Sequence, residues 1–487
     1  MRGLVLNLGF RSVRAIVFGS DGRVLASSSR RVSTFLSGDF VEQDPNEWWE
    51  KGLTCMREVL EHVPKVDFIT VTASAACVVP VDEDLNPTMN TILVSDKRAR
   101  EEASYISRLE SFKKLPYEAR AYYTIPRILW IKRNRPEVYE KTCKFLSPND
   151  FFIARMTGRF IIDELNATKY YTVDGEYPRD LLKDLGISED KLPEIRPVGF
   201  ITETWEPFEK TVGLAHRVPV VVTTYDAICA FFGSGVSEEG DAADISGTVT
   251  SLRVLTRKKL RKDESRIFEL SYKDWNIVGG SNNLGGGLIE WLLGNIYPEY
   301  SYEDLENLSN LLSAGTGLIF LPYLLGERAP LWDDDVRGAF LGIERFHSRD
   351  DLARAVLEST GFVLRSLIEA IEENGIQVKK IYTSGGLSRI NLINQIKADV
   401  TGKTVYKPKE IESTALGAYI LARRELEPGF DSSKLFVIEK IYRPNEEMYK
   451  VYTNAYGLFK KAYESLREFH SERRNLLSIK ELRKVNL

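Results

Sequence analysis

Leu4-Val5-Leu6-Asn7-Leu8-Gly9-Phe10-Arg11-Ser12-Val13-Arg14-Ala15-Ile16-Val17 opens the chain as an apolar run, a tight turn at Gly9 and a second apolar run. The pattern returns in the second half as Ala243-Asp244-Ile245-Ser246-Gly247-Thr248-Val249-Thr250-Ser251-Leu252-Arg253-Val254-Leu255. Glycine permits the sharp turn and lets a bulky anion approach the exposed amides. Two such turns, one per half-chain, point to a nucleotide held between two related lobes.

Outward from Gly9, three strands read as a meander over 3–9, 12–18 and 23–30, with Ser20-Asp21-Gly22 turning the last pair. Asp44 then caps a helix, Pro45 suits its first position and Glu47 completes a capping box. Trp49, Leu53, Met56, Val59, Leu60 and Val63 follow at helical spacing, and 66–72 reads as a buried strand. Three meandering strands, a helix and a further strand open a ribonuclease-H-like unit. A helical middle over about 96–190 leads to an apolar strand at 218–223, which ends at Thr224-Tyr225-Asp226. Past Gly247, residues 350–375 form an amphipathic helix, and Ile381-Tyr382-Thr383-Ser384-Gly385-Gly386 is a strand running into a glycine turn and another helix. The polar Ser237-Glu238-Glu239-Gly240-Asp241 places the boundary near Gly240, giving domains 1–239 and 240–487. The charged tail from about 455 is helical in pattern and would suit a packing arm or a homodimer contact.

Bulk properties narrow the function classes. A chain of 487 residues is too long for one core, so two domains are the default. Apolar content of 43% and charged content of 28% fit an ordinary globular protein. A formal charge of −4 supplies no general positive field, which argues against nucleic acid as a partner. Cys55, Cys77, Cys143 and Cys229 are scattered with no CxxC, so they read as thiols in a reducing compartment. His62, His216, His347 and His470 are too dispersed for a metal cluster. The start lacks a signal-peptide pattern and no apolar run is long enough to span a bilayer, so a cytoplasmic location with no membrane partner is expected.

Two familiar nucleotide motifs fail. Gly402-Lys403-Thr404 resembles the end of a P-loop, but Lys397 stands where the upstream glycine is needed. Gly233-Ser234-Gly235 is not completed to GxGxxG because Glu238 occupies the third glycine position. The remaining phosphate cradles are the turns at Gly9 and at Gly247-Thr248, where a hydroxyl adds a donor, and Ser384-Gly385-Gly386-Leu387-Ser388 between strand and helix. Either hairpin turn alone could equally be an ordinary turn. Asp226 stands before the apolar Ala227-Ile228-Cys229-Ala230-Phe231-Phe232, either as a helix cap or as a general base for an attacking hydroxyl.

At this point a resemblance covers nearly the whole chain, in order. Glu42-Gln43-Asp44-Pro45 with Trp48 or Trp49, Ser95-Asp96-Lys97-Arg98, and Tyr122-Tyr123-Thr124-Ile125-Pro126-Arg127-Ile128-Leu129-Trp130 come first. Leu321-Pro322-Tyr323-Leu324-Leu325-Gly326-Glu327-Arg328-Ala329-Pro330 follows, then Gly338-Ala339-Phe340-Leu341-Gly342-Ile343 with Asp351-Leu352-Ala353-Arg354-Ala355-Val356-Leu357-Glu358. These strings resemble the FGGY family of carbohydrate kinases, which includes glycerol, xylulose, ribulose and gluconate kinases. The resemblance implies an actin-like α/β fold, a duplicated ribonuclease-H-like architecture with sugar and ATP in a deep interdomain cleft. It implies that Asp226 is the catalytic base and that Gly247 and Thr248 form the second phosphate loop. Gly285 and Gly286 ahead of Glu290 match a nucleotide-binding turn and helix, and Gly385 and Gly386, with Asn391 nearby, match the loop beside the adenine. Glu327 and Arg328 match a structural ion pair.

The first phosphate loop departs from the family pattern Asp-x-Gly-Thr-[Ser/Thr]. Here Asn7-Leu8-Gly9-Phe10-Arg11 keeps the glycine and the later Arg14. Asn7 can still offer an oxygen towards Mg²⁺ alongside Asp226, but adds no charge. Phe10 removes a hydroxyl and adds bulk, while Arg11 could restore attraction to phosphate. Two readings stay open: an active ATP- and Mg²⁺-dependent sugar kinase in which Arg11, Arg14 and Thr248 handle the γ-phosphate and Asp226 alone anchors Mg²⁺, or a relative with weakened or lost phosphotransfer that binds sugar or nucleotide. For the substrate, Ser74 and Ala75 lie in Ala73-Ser74-Ala75-Ala76-Cys77, where relatives place polar sugar contacts. Small side chains there argue against glycerol and xylulose and leave room for a hexulose, deoxyhexulose or sugar acid. Asp96, Arg98, Tyr122 and Tyr225 are the other candidate sugar contacts.

Overall fold

Leu4, Val5, Leu6 and Leu8 are all buried, so β1 (Gly3–Leu8) is a strand covered on both faces. The structure in which it sits is a computed structural model that describes residues 1–409 and 412–482. Strand β1 pairs antiparallel with β2 (Ser12–Phe18), which pairs antiparallel with β3 (Val24–Arg31), as the meander requires. Helix α1 (Pro45–His62) starts at Asp44, whose side chain accepts the Asn46 N–H at 2.8 Å. The expected capping box is not made. Glu47 turns instead to Ser33, accepting its N–H and its hydroxyl at 2.9 Å each, and to Lys51. The face α1 buries is built on Trp48, Cys55, Met56, Val59 and Leu60, and Trp49 packs at its margin.

Strand β4 (Phe68–Ala73) lies parallel to β1 on the side away from β2. Helices α2 (Thr124–Asn134) and α3 (Pro148–Thr157) follow, and α3 begins with a complete Ser147–Asp150 capping box. Strands β5 (Ile201–Glu203) and β6 (Pro219–Val221) complete a six-stranded sheet of order β5-β6-β4-β1-β2-β3. The strand expected over 218–223 is regular only over Pro219–Val221; Val222 still exchanges backbone hydrogen bonds with Gly199 and Phe200 at 2.8 Å each, and threonine hydroxyls join the segment to β4. Thr70 donates to the Val221 carbonyl at 2.8 Å, Thr223 to that of Val71 at 2.8 Å, and Thr72 to that of Thr224 at 3.0 Å. This zipper delivers the chain to α4 (Asp226–Phe232).

The second half repeats the plan. Strands β7 (Asp241–Ser246) and β8 (Thr250–Thr256) form the glycine hairpin, and β9 (Phe268–Tyr272) and β10 (Trp275–Ser281) extend it. Helix α5 (Gly286–Asn295) and the long amphipathic α6 (Arg349–Glu372) precede β11 (Lys380–Gly385), α7 (Asn391–Thr401) and β12 (Thr404–Pro408). Strand β7 pairs parallel with β11 and β11 with β12, as β1 pairs with β4 and β4 with β6. The chain then forms α8 (Ser413–Leu426), β13 (Ile438–Tyr442) and α9 (Glu446–Leu482). The second sheet runs β9-β10-β8-β7-β11-β12-β13.

Contacts divide the chain into two units, the first made of Met1–Gly233 with Glu412–Leu435, the second of the remainder. The sequence reading placed one cut near Gly240 and assigned everything beyond it to the second domain. The folded chain changes unit at Gly233–Ser234 and sends one later helix back. Helix α8 packs so closely on α4 that a methyl group at Gly417 would lie 1.6 Å from the Cys229 carbonyl oxygen. One at Gly233 would lie 1.7 Å from that of Ser413. The Tyr419 hydroxyl, also on α8, donates to the carbonyls of Met1 and Gly19, each at 2.9 Å. No local sequence pattern announces such a return. The tail helix begins at Glu446, earlier than expected, and buries Tyr452, Ala455, Tyr456 and Phe459; 483–487 of the expected arm lie outside the described residues. Among the described residues no helix is long and apolar enough to cross a membrane.

Candidate active site

Strands β1, β4 and β6 point the same way, so their carboxyl ends share one edge of the first sheet, where ligands of open α/β sheets bind. Asn7 lies opposite Thr72 and Leu8 opposite Ala73, which puts the Gly9 turn and Ser74 side by side. Asp226 opens α4 at the same edge. Its Oδ2 accepts the Ser74 hydroxyl at 3.1 Å and its Oδ1 the Ala227 N–H at 2.7 Å. The Thr224 carbonyl two residues earlier is held by Thr72 and by the Cys229 thiol at 3.2 Å. Burial pushes Cys229 up to about 12, so it stays a donor. The Asn7 side chain is only 8% exposed and has no hydrogen-bond partner among the described residues.

The Gly9 turn is closed by its N–H donating to the Ser12 carbonyl at 2.9 Å. Phe10 is 47% exposed, and its carbonyl is held by Gln43 Nε2 at 2.8 Å. Arg14, expected at the γ-phosphate, is engaged elsewhere. Its Nη1 meets both Glu412 oxygens at 2.6 and 2.7 Å, and its Nε reaches Ser12 Oγ at 3.2 Å. Arg11 is exposed and forms no ion pair among the described residues, which leaves it as the available cation of this turn.

Asp96 and Arg98, expected to touch sugar, are consumed internally. Asp96 is 2% exposed, and its carboxylate accepts the Val41 N–H at 2.6 Å and the Arg98 N–H and guanidinium. Arg98 also meets Glu42 at 2.6 Å and packs against the rings of both Phe40 and Trp130, 4.1 and 4.8 Å from their centroids. Fully buried Arg127 donates to the carbonyls of Ala76, Val94 and Asp96, and so fixes the small-residue loop that carries Ser74 and Ala75. Tyr122 stacks on Tyr123 at 5.0 Å and keeps much of its ring in solvent. Tyr225 carries the Lys169 ammonium over its ring at 5.1 Å. Lys169 was missed in the sequence because nothing in its local pattern links it to Tyr225.

In the second unit, Ser246 lies opposite Gly385 in the parallel pair, so the exposed turns Gly247-Thr248 and Gly385-Gly386 are neighbours. Gly385 has φ +86°, and a methyl group there would lie 2.4 Å from the Ser246 carbonyl oxygen. Gly285 and Gly286, expected in a nucleotide-binding turn, hold the first of these turns with their amides. Gly285 N–H donates to the Thr248 carbonyl at 2.8 Å and Gly286 N–H to that of Gly247 at 2.7 Å. Glu290 lies exposed on the same helix. Glu327 is not the expected ion pair with Arg328: its Oε1 accepts the N–H groups of Asn283 and Arg328, both at 2.8 Å, and burial pushes it up to about 7. At α7, Glu306 accepts the N–H groups of Asn391 and Leu392 at 2.6 and 3.1 Å. The Asn391 Oδ1 accepts the Tyr442 hydroxyl at 2.6 Å. Asn391, Gln395, Glu306 and Tyr442 line a groove of about 580 Å³.

Residues 3–233 match the model of the FGGY family of carbohydrate kinases, N-terminal domain, and residues 243–426 that of the C-terminal domain. The chain belongs to this family. This FGGY chain is 25% identical to a xylulose kinase of Staphylococcus epidermidis over 96% of its length and 98% of that protein's. It is 27% identical to a gluconokinase of Bacillus subtilis over 86% of each. The solved xylulose kinase of Rhodospirillum rubrum covers 97% of it with a TM-score of 0.89 at 22% identity, and all of that chain is matched. It is thus a two-domain α/β carbohydrate kinase of actin-like fold, a phosphotransferase for which the family implies sugar and ATP as substrates. For a divalent cation, the FGGY chain offers carboxylate oxygen at Asp226 and the amide oxygen of Asn7, which has no hydrogen-bond partner among the described residues. Among the described residues no three His, Cys, Asp or Glu side chains gather. Such a sparse oxygen set fits Mg²⁺ arriving with phosphate, because Mg²⁺ keeps waters and takes one or two protein ligands.

Proposed function

We propose that this kinase transfers the γ-phosphoryl group of ATP to a hydroxyl of a sugar, sugar acid or polyol, with Asp226 as general base. The observation that carries this reading is a carboxylate held by Ser74 at the carboxyl edge of the first sheet, where β1 also brings Asn7, whose side chain has no hydrogen-bond partner among the described residues. The acceptor oxygen forms a bond to the γ-phosphorus as the bond to the β–γ bridging oxygen breaks; ADP leaves and the acceptor's proton passes to Asp226. Ser74 and the Thr72–Thr224 hydrogen bond orient the carboxylate, Arg11 draws the phosphate, and the Gly247-Thr248 and Gly385-Gly386 turns bind the nucleotide. Mg²⁺, held through Asn7 and Asp226, would supply charge neutralisation on the phosphates. The small side chains of Ser74 and Ala75 leave xylulose and glycerol hydroxyls without specific partners, so a larger or acidic acceptor is favoured. A panel of hexuloses, deoxyhexuloses, aldonates and polyols with coupled ADP detection is expected to show turnover with at least one member.

The replacement of the first loop and the engagement of Arg14 by Glu412 favour a second reading, a binding protein with weakened transfer. A thermal shift with Mg·ATP but no ADP across the whole panel would select it. Restoring the family loop with Asn7→Asp and Phe10→Thr together is expected to raise kcat roughly 10- to 100-fold, since a missing transition-state donor costs about that much or more. A fall in kcat would show that the loop has been rebuilt around Arg11.

A further inference from the structure

Beneath the Gly247-Thr248 turn lies a fully buried ionic network that the reaction scheme above does not use. Lys397 on α7 and Asp244 on β7 are 1% and 0% exposed and form a direct ion pair. The Lys397 ammonium also donates to Ser246 Oγ at 3.2 Å, and Ser246 Oγ donates to Asp244 Oδ1 at 2.9 Å. Thr383 on β11 donates to Asp244 Oδ2 at 3.2 Å, and Thr250 on β8 donates to Ser246 Oγ at 3.1 Å. One ammonium therefore ties together the strands before and after the first turn, the strand before the second turn and the helix after it.

We infer that Lys397 and Asp244 are positioning residues for nucleotide: their buried pair sets the backbone of Ser246-Gly247-Thr248 against Gly385. Ser246 is the last residue before the turn, and its carbonyl is the atom that a side chain at Gly385 would strike. Any sideways movement of Ser246 must break a hydrogen bond to a charged group with no water available to replace it. The surroundings give little room for repair, since the cavity bordered by Thr250, Asn282, Gly285 and Lys397 has a volume of about 10 Å³. That holds at most one water. The arrangement differs from a surface salt bridge in its purpose: a buried pair adds little net stability over an apolar one, but it specifies one geometry. Both turns are placed by the same group, so loosening it should be felt by the nucleotide and not by the sugar.

The inference rests on the proposal that these turns bind ATP, and the test separates the two. Mg·ADP binding by calorimetry and KM for ATP and for the accepted sugar are measured for wild type, Asp244→Asn with Lys397→Met, and Lys403→Met. The double variant removes both charges together and leaves no uncompensated buried ion, so it is expected to fold; circular dichroism confirms that before binding is read. Its ADP Kd and ATP KM are expected to rise about tenfold or more, the sugar KM to stay within about twofold. Lys403→Met breaks a pair with Glu372 elsewhere in the same unit and is expected to match wild type. A folded double variant with wild-type ADP affinity overturns the positioning role. Equal losses for ATP and sugar overturn it too, because they mark a general structural effect. Wild type that binds no Mg·ADP at all would end the nucleotide assignment of the turns and this inference with it.

Discussion

Asp226→Ala is expected to lower turnover about 10³- to 10⁴-fold while leaving Mg·ADP affinity within about twofold. The size follows from the job assigned to the carboxylate. A sugar hydroxyl is a poor nucleophile at neutral pH, and proton removal during attack is the one step that no backbone amide can perform. The selectivity follows from its place: Asp226 belongs to the first unit, whereas the candidate nucleotide turns belong to the second. Asp226→Asn sharpens the test, since its amide oxygen can still accept the Ala227 N–H while its NH2 group donates to the Ser74 hydroxyl, yet the amide cannot take up the proton. Both variants should therefore fail alike in ADP release with the accepted sugar. Near-normal turnover in either one would end the assignment of the base.

Gly417→Ala is expected to cost about 3 kcal/mol or more of the first unit's stability, at the upper end for overpacking. Overpacked side chains usually escape by changing rotamer. Here the obstacle is backbone, the Cys229 carbonyl oxygen 1.6 Å from where the new carbon must go. The helices would have to separate along the whole crossing, and α4, which opens at Asp226, would move with them. Urea denaturation followed by circular dichroism should show the loss, with kcat falling at temperatures where the protein is still folded. Gly457→Ala, in α9 with no atom within 4 Å of the added carbon, is the matched control and should be neutral or stabilising by about 0.5–1 kcal/mol. If the two substitutions behaved alike, close backbone packing would not be what holds α8 in place.

The fold was legible because its signals are local. The repeated apolar run, glycine turn and apolar run at Gly9 and Gly247 became β1–β2 and β7–β8, and the strand carrying Gly385 proved parallel to β7. A carboxylate stranded among apolar residues marked Asp226 in the same way. Charged side chains were harder to place, since their partners are distant in sequence. Arg14 looked available for phosphate until Glu412, 398 positions away, took its guanidinium. Asp96 and Arg98 looked like sugar contacts because their enclosure by Phe40 and Trp130 comes from separate elements. Lys397 entered the sequence reading only as the residue that spoils a P-loop, and its burial against Asp244 could not be inferred without strand register. Gly285 and Gly286 illustrate a third limit: the sequence marks a glycine turn, not which acceptors its amides find.

The return of Glu412–Leu435 to the first unit means that the two halves of this polypeptide are not separable by a single scission. A fragment ending at 239 would carry Asp226 and its strands but expose the bare flank of α4, and the Met1 and Gly19 carbonyls would lose the Tyr419 hydroxyl. The complementary fragment would carry an orphaned helix with nothing to rest on. Dissecting the enzyme into its two units would require grafting that late helix onto the early fragment, with a linker in place of the intervening domain.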